Sequence, residues 1–383
     1  HIDFYSENEI SPIRQDISDR KRHYERREAL YRHVGIAPIF LRDRSFLEVG
    51  PGSGYNALYT ASLEPSQLVL LEPNPTGVAE LRDLFEEELY LEMPHMRERV
   101  EVVQALMEDY RPETSFDFVW CEGVLSGVSA PRSFLSTMAR FVAPQGLLII
   151  SCIDNVSHLS ETLRRLCAQI VLDRSTTLDQ QVEQLLPMFA PHLERLQGMS
   201  RRHDDWIIDT VINPASIGDL LSIADAVDEI GEEFEPYYVS PHFVQDWRWY
   251  KVITGKNRNY AELLTTEYWK IVHNFLDHSS IFPARSVESN QKLMQHCIKV
   301  RETVRRYEES RNNDQIEQVR ALLLDIASDV AGYSATTALA LQEVQELLGR
   351  GKEHLARELG SLEHFGGLFG HGQQCVSFTR RVP

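Results

Sequence analysis

From Ser45 onward, short apolar runs alternate with longer stretches in which apolar positions recur every three to four residues. The runs 46–49, 68–71, 100–103, 116–121 and 147–152 read as strands, because near-continuous apolar stretches of this length suit strands covered on both faces. The stretches between them, 55–63, 76–88 and 130–141, carry the helical period. Strand and helix alternating in this way predict a parallel, doubly wound α/β sheet. Pro144-Gln145-Gly146 marks the turn into the fifth strand. Ahead of the sheet, Ile17, Tyr24, Leu30, Tyr31 and Val34 stand among many charges at a spacing that predicts an amphipathic helix over 17–34.

The alternation then breaks. Residues 157–200 are helical in pattern and contain no strand of their own, so 157–212 reads as a helical insertion in a core that begins at 41 and pauses at 156. A helix over 214–230, opened by Asn213-Pro214 and closed by Gly231, resumes the core with a sixth strand at 234–239. The core continuation is 213–255, followed by a helical lobe at 256–365 with its clearest amphipathic stretches at 298–307 and 316–330. After Gly366-Gly367 and Gly370-x-Gly372, the alternating run 374–379 predicts that 366–383 returns to the core as a seventh strand. The run 249–254 competes for that place. Residues 1–40 form an N-terminal helical lid in this division.

Composition narrows the function classes. In 383 residues, 43% hydrophobic and 25% charged side chains are ordinary for a globular protein. The 57 acidic against 39 basic residues give a net charge of −18, which repels a phosphate backbone and disfavours nucleic acid as a partner. Five widely spaced cysteines without a C-x-x-C pair argue against a disulfide framework or a zinc site. The N-terminal residues lack the regions of a secretion signal and no run approaches a membrane span, so the expectation is a cytoplasmic protein without membrane insertion.

The first strand ends in Glu48-Val49-Gly50-Pro51-Gly52-Ser53-Gly54-Tyr55. Glycine at 50, 52 and 54 lets the chain turn sharply and approach a ligand closely. A dinucleotide fingerprint would need a further glycine where Tyr55 stands. About twenty residues on, Glu72 closes the second strand, placed to accept hydrogen bonds from both hydroxyls of a ribose. With Phe116–Cys121 and the following Glu122-Gly123-Val124-Leu125, these motifs resemble class I S-adenosylmethionine-dependent methyltransferases over roughly 45–155.

The resemblance implies a seven-stranded, Rossmann-like sheet, S-adenosylmethionine as cofactor and methyl transfer as the reaction. It maps the methionine part of the cofactor onto Glu48, Gly50, Pro51, Gly52, Ser53 and Gly54, with added contacts from Tyr55 and Asn56. Glu72 would bind the ribose, with Pro73 and Asn74 adjacent. Leu106 departs from the family's acidic residue after the third strand; Leu106 and Met107 would sandwich the adenine while Glu108 takes the polar role, unless Glu108-Asp109 simply starts a helix. Cys121, Glu122 and Gly123 would lie near the methyl donor, Cys121 by packing.

Residues after the fifth strand supply candidate bases for the acceptor, Asp154 and His158. The competing reading is that Asp154 and Asn155 cap a helix and His158 is a surface residue. In 201–209, His203, Asp205, Trp206 and Asp209 would shape the acceptor pocket, or else form a loop anchored by Trp206; they lack a metal spacing and no metal is expected. Asp246-Trp247-Arg248-Trp249-Tyr250 would stack on sugar rings or belong to the core. With Asp205-Trp206 and Asn213-Pro214-Ala215 it loosely resembles bacterial methyltransferases of glycan and secondary-metabolite pathways. The expected activity is methylation of a hydroxyl or amine on a small acceptor. The other readings are a tRNA or protein methyltransferase, or a cofactor-binding protein that assembles through its helical lobe, which could equally make a homo-oligomer.

Overall fold

In the computed structural model, residues 4, 5, 8, 10, 11 and 17–382 are described; the rest of the expected lid, 1–40, lies outside them. The chain forms two units. The first takes the stretch up to Ile153, Gly218–Tyr268 and the stretch from Gln373; the second takes Asp154–Ile217 and Trp269–Gly372.

A seven-stranded sheet organises the first unit: β1 (Ser45–Val49), β2 (Gln67–Leu71), β3 (Val100–Val103), β4 (Phe116–Cys121), β5 (Val142–Cys152), β6 (Phe234–Ser240) and β7 (Gln374–Arg380). Their order across the sheet is β3-β2-β1-β4-β5-β7-β6. Strands β1 to β5 are parallel, whereas β7 lies antiparallel between β5 and β6. The fold is an α/β, Rossmann-like sheet of seven strands, and the second unit includes a helical C-terminal region. The last four residues of β1 and β2 are all buried, as central parallel strands covered by helices must be.

Three expectations need correction. Pro144-Gln145-Gly146 is a bulge inside β5 and not a turn before it: pairing with β4 jumps from Phe116↔Val142 to Phe118↔Leu147, and Gln145 takes a positive φ of 64°. The helix expected over 214–230 is two pieces, a single turn at Pro214–Ile217 and a helix at Ile223–Ile230. Ser222 and Asp225 form a reciprocal capping box that starts the second piece afresh. The run 249–254 is not a strand: it holds one tight turn, at Tyr250–Val252, with irregular links on either side, and the seventh strand is the C-terminal one.

Ahead of β1, the helix Arg20–His33 is capped by Asp19, whose carboxylate accepts from the Arg22 amide at 2.9 Å. Its buried residues are His23, Arg27 and Tyr31. Tyr31 stacks on Trp120 of β4, ring centroids 4.6 Å apart, and its hydroxyl bonds Thr60 Oγ1 at 2.6 Å. This helix thereby covers the sheet beside the ends of β1 and β4.

The second unit is helical, with its longest helix at Val287–Ser310. Its helix Leu159–Val171 buries two arginines. Arg165 makes a two-pronged ion pair with Glu308 at 2.6 and 2.9 Å, and Arg164 lies over the ring of Phe369 at 3.9 Å while donating to the Phe365 carbonyl.

Candidate active site

The strand order reverses direction between β1 and β4, so the loops after these strands part and leave a crevice at their carboxyl ends. Both loops carry chemistry. After β1, Gly50, Gly52 and Gly54 have φ of 72°, 57° and 83°, a conformation that side chains with a Cβ rarely take. A Cβ on Gly50 would overlap Val124, and one on Gly54 would meet Leu81 Cγ at 2.8 Å, whereas among the described residues nothing lies within 4 Å of one on Gly52. The loop is therefore tight at both ends and open in its middle. It leads into the helix Tyr55–Ser62, where the Asn56 Oδ1 is buried without a partner among the described residues.

Glu72, at the end of β2, is 5% exposed and ties two backbone segments: one carboxylate oxygen accepts from the Gly52 amide and the other from the Asn74 amide, each at 2.9 Å. Burial raises its carboxyl, and these two amides pull it back. Each oxygen keeps a lone pair beyond these bonds. Pro73 follows, and Asn74 caps the helix Pro75–Leu84 by accepting from the Thr76 amide at 3.1 Å. Ser53 is buried and bonds both Glu80, at 2.7 Å, and Ser11; Asn74 Nδ2 donates to the Ile10 carbonyl at 3.2 Å. Ser11 and Ile10 thus touch the loop from the N-terminal side.

A charged group sits between β1 and β4. Glu48 is fully buried, and burial pushes its carboxyl up to about 7, with Arg27 opposing and Glu122 reinforcing that rise. Arg27 donates through one terminal nitrogen to both oxygens of Glu122, at 3.0 and 2.8 Å, and Trp120 Nε1 donates to Glu122 at 3.1 Å. Burial works against the Arg27 charge, but Glu122, Tyr31 and Glu48 more than offset it and keep the guanidinium protonated. Its Nε is buried without a partner among the described residues. Burial, with Glu48 and Glu122, pushes the Cys121 thiol up, which makes it a packing group and no nucleophile. Gly123, at φ 78°, donates its amide to Ser151 Oγ at 2.7 Å.

Residues 47–150 match the family model described as a methyltransferase domain. The chain carries a class I S-adenosylmethionine-dependent methyltransferase domain. Solved structures similar to this chain include the N-methyltransferase NodS of Bradyrhizobium japonicum WM9 with S-adenosyl-L-homocysteine, at 15% identity over 36% of this chain and 64% of that one, TM-score 0.29. A methyltransferase of Mesorhizobium loti is 15% identical over 32% and 52% of the two chains, TM-score 0.27. A sarcosine dimethylglycine methyltransferase, itself assigned only by similarity, of Galdieria sulphuraria is 13% identical over 94% and 85%, TM-score 0.38. The matched stretch thus spans less than two thirds of the first two proteins. No curated protein is significantly similar to the chain.

The methyltransferase domain has groups that suit its cofactor. Glu72 has lone pairs for ribose hydroxyls, the open face at Gly52 admits close backbone approach, and the unpartnered Arg27 Nε and Asn56 Oδ1 suit the carboxylate and ammonium of an amino acid end. Of the adenine candidates, Met107 is buried, whereas Leu106 is 44% exposed and Glu108 is exposed. The residues 107–109 form a turn, not a helix start, with the Asp109 amide donating to the Leu106 carbonyl at 3.1 Å.

The expected bases belong to the second unit and are otherwise engaged. Asp154 is a cap: its Oδ1 accepts from the amides of Val156 and Ser157 at 2.9 and 2.8 Å. His158 is half-buried rather than on the open surface, its Nδ1 lies 3.3 Å from Arg301, and desolvation with the Arg301 charge lowers it to about 3. Such an imidazole is neutral but a weak base at pH 7. In the acceptor cluster, Trp206 is buried against Phe189, ring centroids 5.9 Å apart, and Asp209 pairs with Arg201 at 2.8 Å. His203 and Asp205 lie on the short helix His203–Trp206. No group of three His, Cys, Asp or Glu suited to a metal occurs among the described residues.

Sequence reading missed Arg27, Trp120 and Glu80. Arg27 had a signal: it stands three residues after Tyr24 and four before Tyr31, on the same stripe as Val34, so an arginine occupies a core-facing position.

Proposed function

We propose that this chain catalyses transfer of a methyl group from S-adenosylmethionine to an amine or hydroxyl of a small acceptor, a sugar or secondary metabolite. The observation that carries the reading is Glu72, a buried carboxylate at the end of β2 that organises the glycine loop through Gly52 and keeps further acceptor capacity on both oxygens. When bound, the cofactor would supply an electrophilic methyl on a sulfonium, which the acceptor lone pair would take as the carbon–sulfur bond breaks, giving a neutral thioether and a methylated acceptor whose extra proton passes to water. The residues of the chain orient and charge-match. Glu72 and the glycine loop would hold the ribose side, while Arg27, Glu48 and Asn56 would hold the amino acid end. With Asp154 capping a helix and His158 held beside Arg301, an acceptor that brings its own lone pair, a neutral amine, needs least from the protein. The net charge of −18 supports a small acceptor over a nucleic acid.

Two measurements test this. Calorimetry with S-adenosyl-L-homocysteine should show binding that Glu72→Ala weakens by about a hundredfold, as expected for two charge-assisted hydrogen bonds at roughly 1.5 kcal/mol each. Full affinity in that variant would sink the ribose assignment. Transfer of label from methyl-tritiated cofactor into amine and hydroxyl acceptor panels tests the reaction, and binding without any labelled product would point to a cofactor-binding protein that does not transfer.

A further inference from the structure

The run from Trp247 to Arg258 stands out in this acidic chain. It holds Arg248, Lys251, Lys256 and Arg258 and no acidic residue, although the chain has 57 acidic and 39 basic side chains. Its apolar side chains are in solvent: Trp247 is 89% exposed, Tyr250 71%, Trp249 64% and Val252 49%. The expectation that this tryptophan-rich segment belongs to the core is therefore wrong. Exposed aromatics grouped so closely carry a hydration cost that an interaction surface would recover.

The segment has a fixed base. Arg248 donates to both carboxylate oxygens of Asp246 at 2.8 and 2.6 Å, and its other terminal nitrogen bridges to the Asn257 carbonyl and Asn259 Oδ1 at 2.6 and 2.7 Å. Arg248 thus clasps both ends of the loop, while its neighbours Trp247 and Trp249 stand outward. Arg258 is neutralised by Glu235 at 2.6 Å. The uncompensated cations are Lys251 and Lys256, which have no acidic partner among the described residues. The Lys251 ammonium lies over the Trp249 ring at 5.1 Å, so cation and indole are presented side by side.

We infer that this loop docks on the surface of a bilayer containing anionic phospholipid. Indoles and phenols settle at the level of the headgroups, where one part of the ring meets apolar chains and the other meets water. Lysines on the same loop meet the phosphates. Trp247 and Trp249 are largely in solvent and Val252 adds an exposed aliphatic group, a mixture that suits a fluid apolar–polar interface. The chain's overall negative charge does not prevent this, because charges beyond about 8 Å are screened at physiological salt. It instead favours contact through this loop alone.

Co-sedimentation of the full chain with vesicles of phosphatidylcholine, with and without phosphatidylglycerol, tests the inference. Binding is expected only to the anionic vesicles, with a blue shift of tryptophan emission and release by added salt. Lys251→Ala with Lys256→Ala should weaken partitioning about thirtyfold, at about fivefold per lysine. Trp247→Ser with Trp249→Ser should abolish it, while calorimetry with S-adenosyl-L-homocysteine shows that both variants remain folded. Equal binding to both vesicle types, no binding, or variants that partition like the parent would overturn it. So would a dimer in sedimentation equilibrium that the tryptophan variant dissociates, with no vesicle bound, since the surface would then belong to a second copy of this chain.

Discussion

Glu48 carries opposite demands. Its carboxyl titrates near 7 in the folded protein because burial outweighs the help of Arg27. A cationic cofactor favours the ionised form, so affinity for S-adenosylmethionine should fall about tenfold per pH unit below 7 and level off above it. Calorimetry across pH 5.5 to 8.5 would show this, and Glu48→Gln should flatten the profile. The stability effect has the other sign. Because the folded state binds this proton more tightly than the unfolded one, the stabilisation it brings is complete below the ordinary carboxylate range and is lost as pH rises to 7. The loss is about 3 kcal/mol. Glu48→Gln should therefore melt higher than the parent at pH 8 without cofactor, while binding cofactor more weakly. A buried acid kept at that cost is a mark of a binding site.

At the scale of elements, the glycine loop works because two helices leave no room around it. Gly54, at φ 83° and with Leu81 and Phe85 where its Cβ would be, joins the helix Tyr55–Ser62 to the helix Pro75–Leu84. Gly54→Ala should lower stability by about 1 to 3 kcal/mol through the left-handed conformation and the overlap, seen as a lower melting temperature, and should weaken cofactor binding with it. Gly52→Ala, with open space around it, should change stability through its backbone alone. The strands were legible because parallel strands buried on both faces leave unbroken apolar runs, and the glycine loop and Glu72 because a tight turn and a ribose need particular residue types. Arg27 was not, because a charged residue on a core-facing stripe is counted as polar whatever it pairs with. The break before Ile223 turned on a Ser222–Asp225 cap inside an otherwise helical pattern. The Asp154 cap is local and was one of the two readings its sequence allowed, whereas the state of His158 depended on Arg301, 143 residues further along the chain.

For the whole molecule, the central fact is that the first unit is assembled from separated stretches of chain. β7 fills the place between β5 and β6, pairing with β5 from Leu147↔Thr379 to Cys152↔Gln374 and with β6 from Phe234↔Arg380 to Ser240↔Cys375. Ser377, in its middle, also donates to the Val34 carbonyl at 2.8 Å, tying in the residue that follows the N-terminal helix. Removal of residues from Gln373 onward should leave β5 and β6 without a partner between them. The truncated chain should lose the cooperative unfolding transition of the first unit and with it S-adenosyl-L-homocysteine binding, as circular dichroism and calorimetry would show. An outcome in which the truncated chain still bound cofactor with parental affinity would mean that β1 to β5 suffice.

The same threading has a consequence for synthesis. The nascent chain emerges with β1 to β5 first, yet the sheet cannot close until a segment more than two hundred residues later has left the ribosome. During translation of everything between, β5 offers an unpaired edge of apolar residues, a template for wrong partners. Chaperone demand during expression should therefore follow the delay between β5 and β7, and slowing translation downstream of β5 should lower the yield of folded protein.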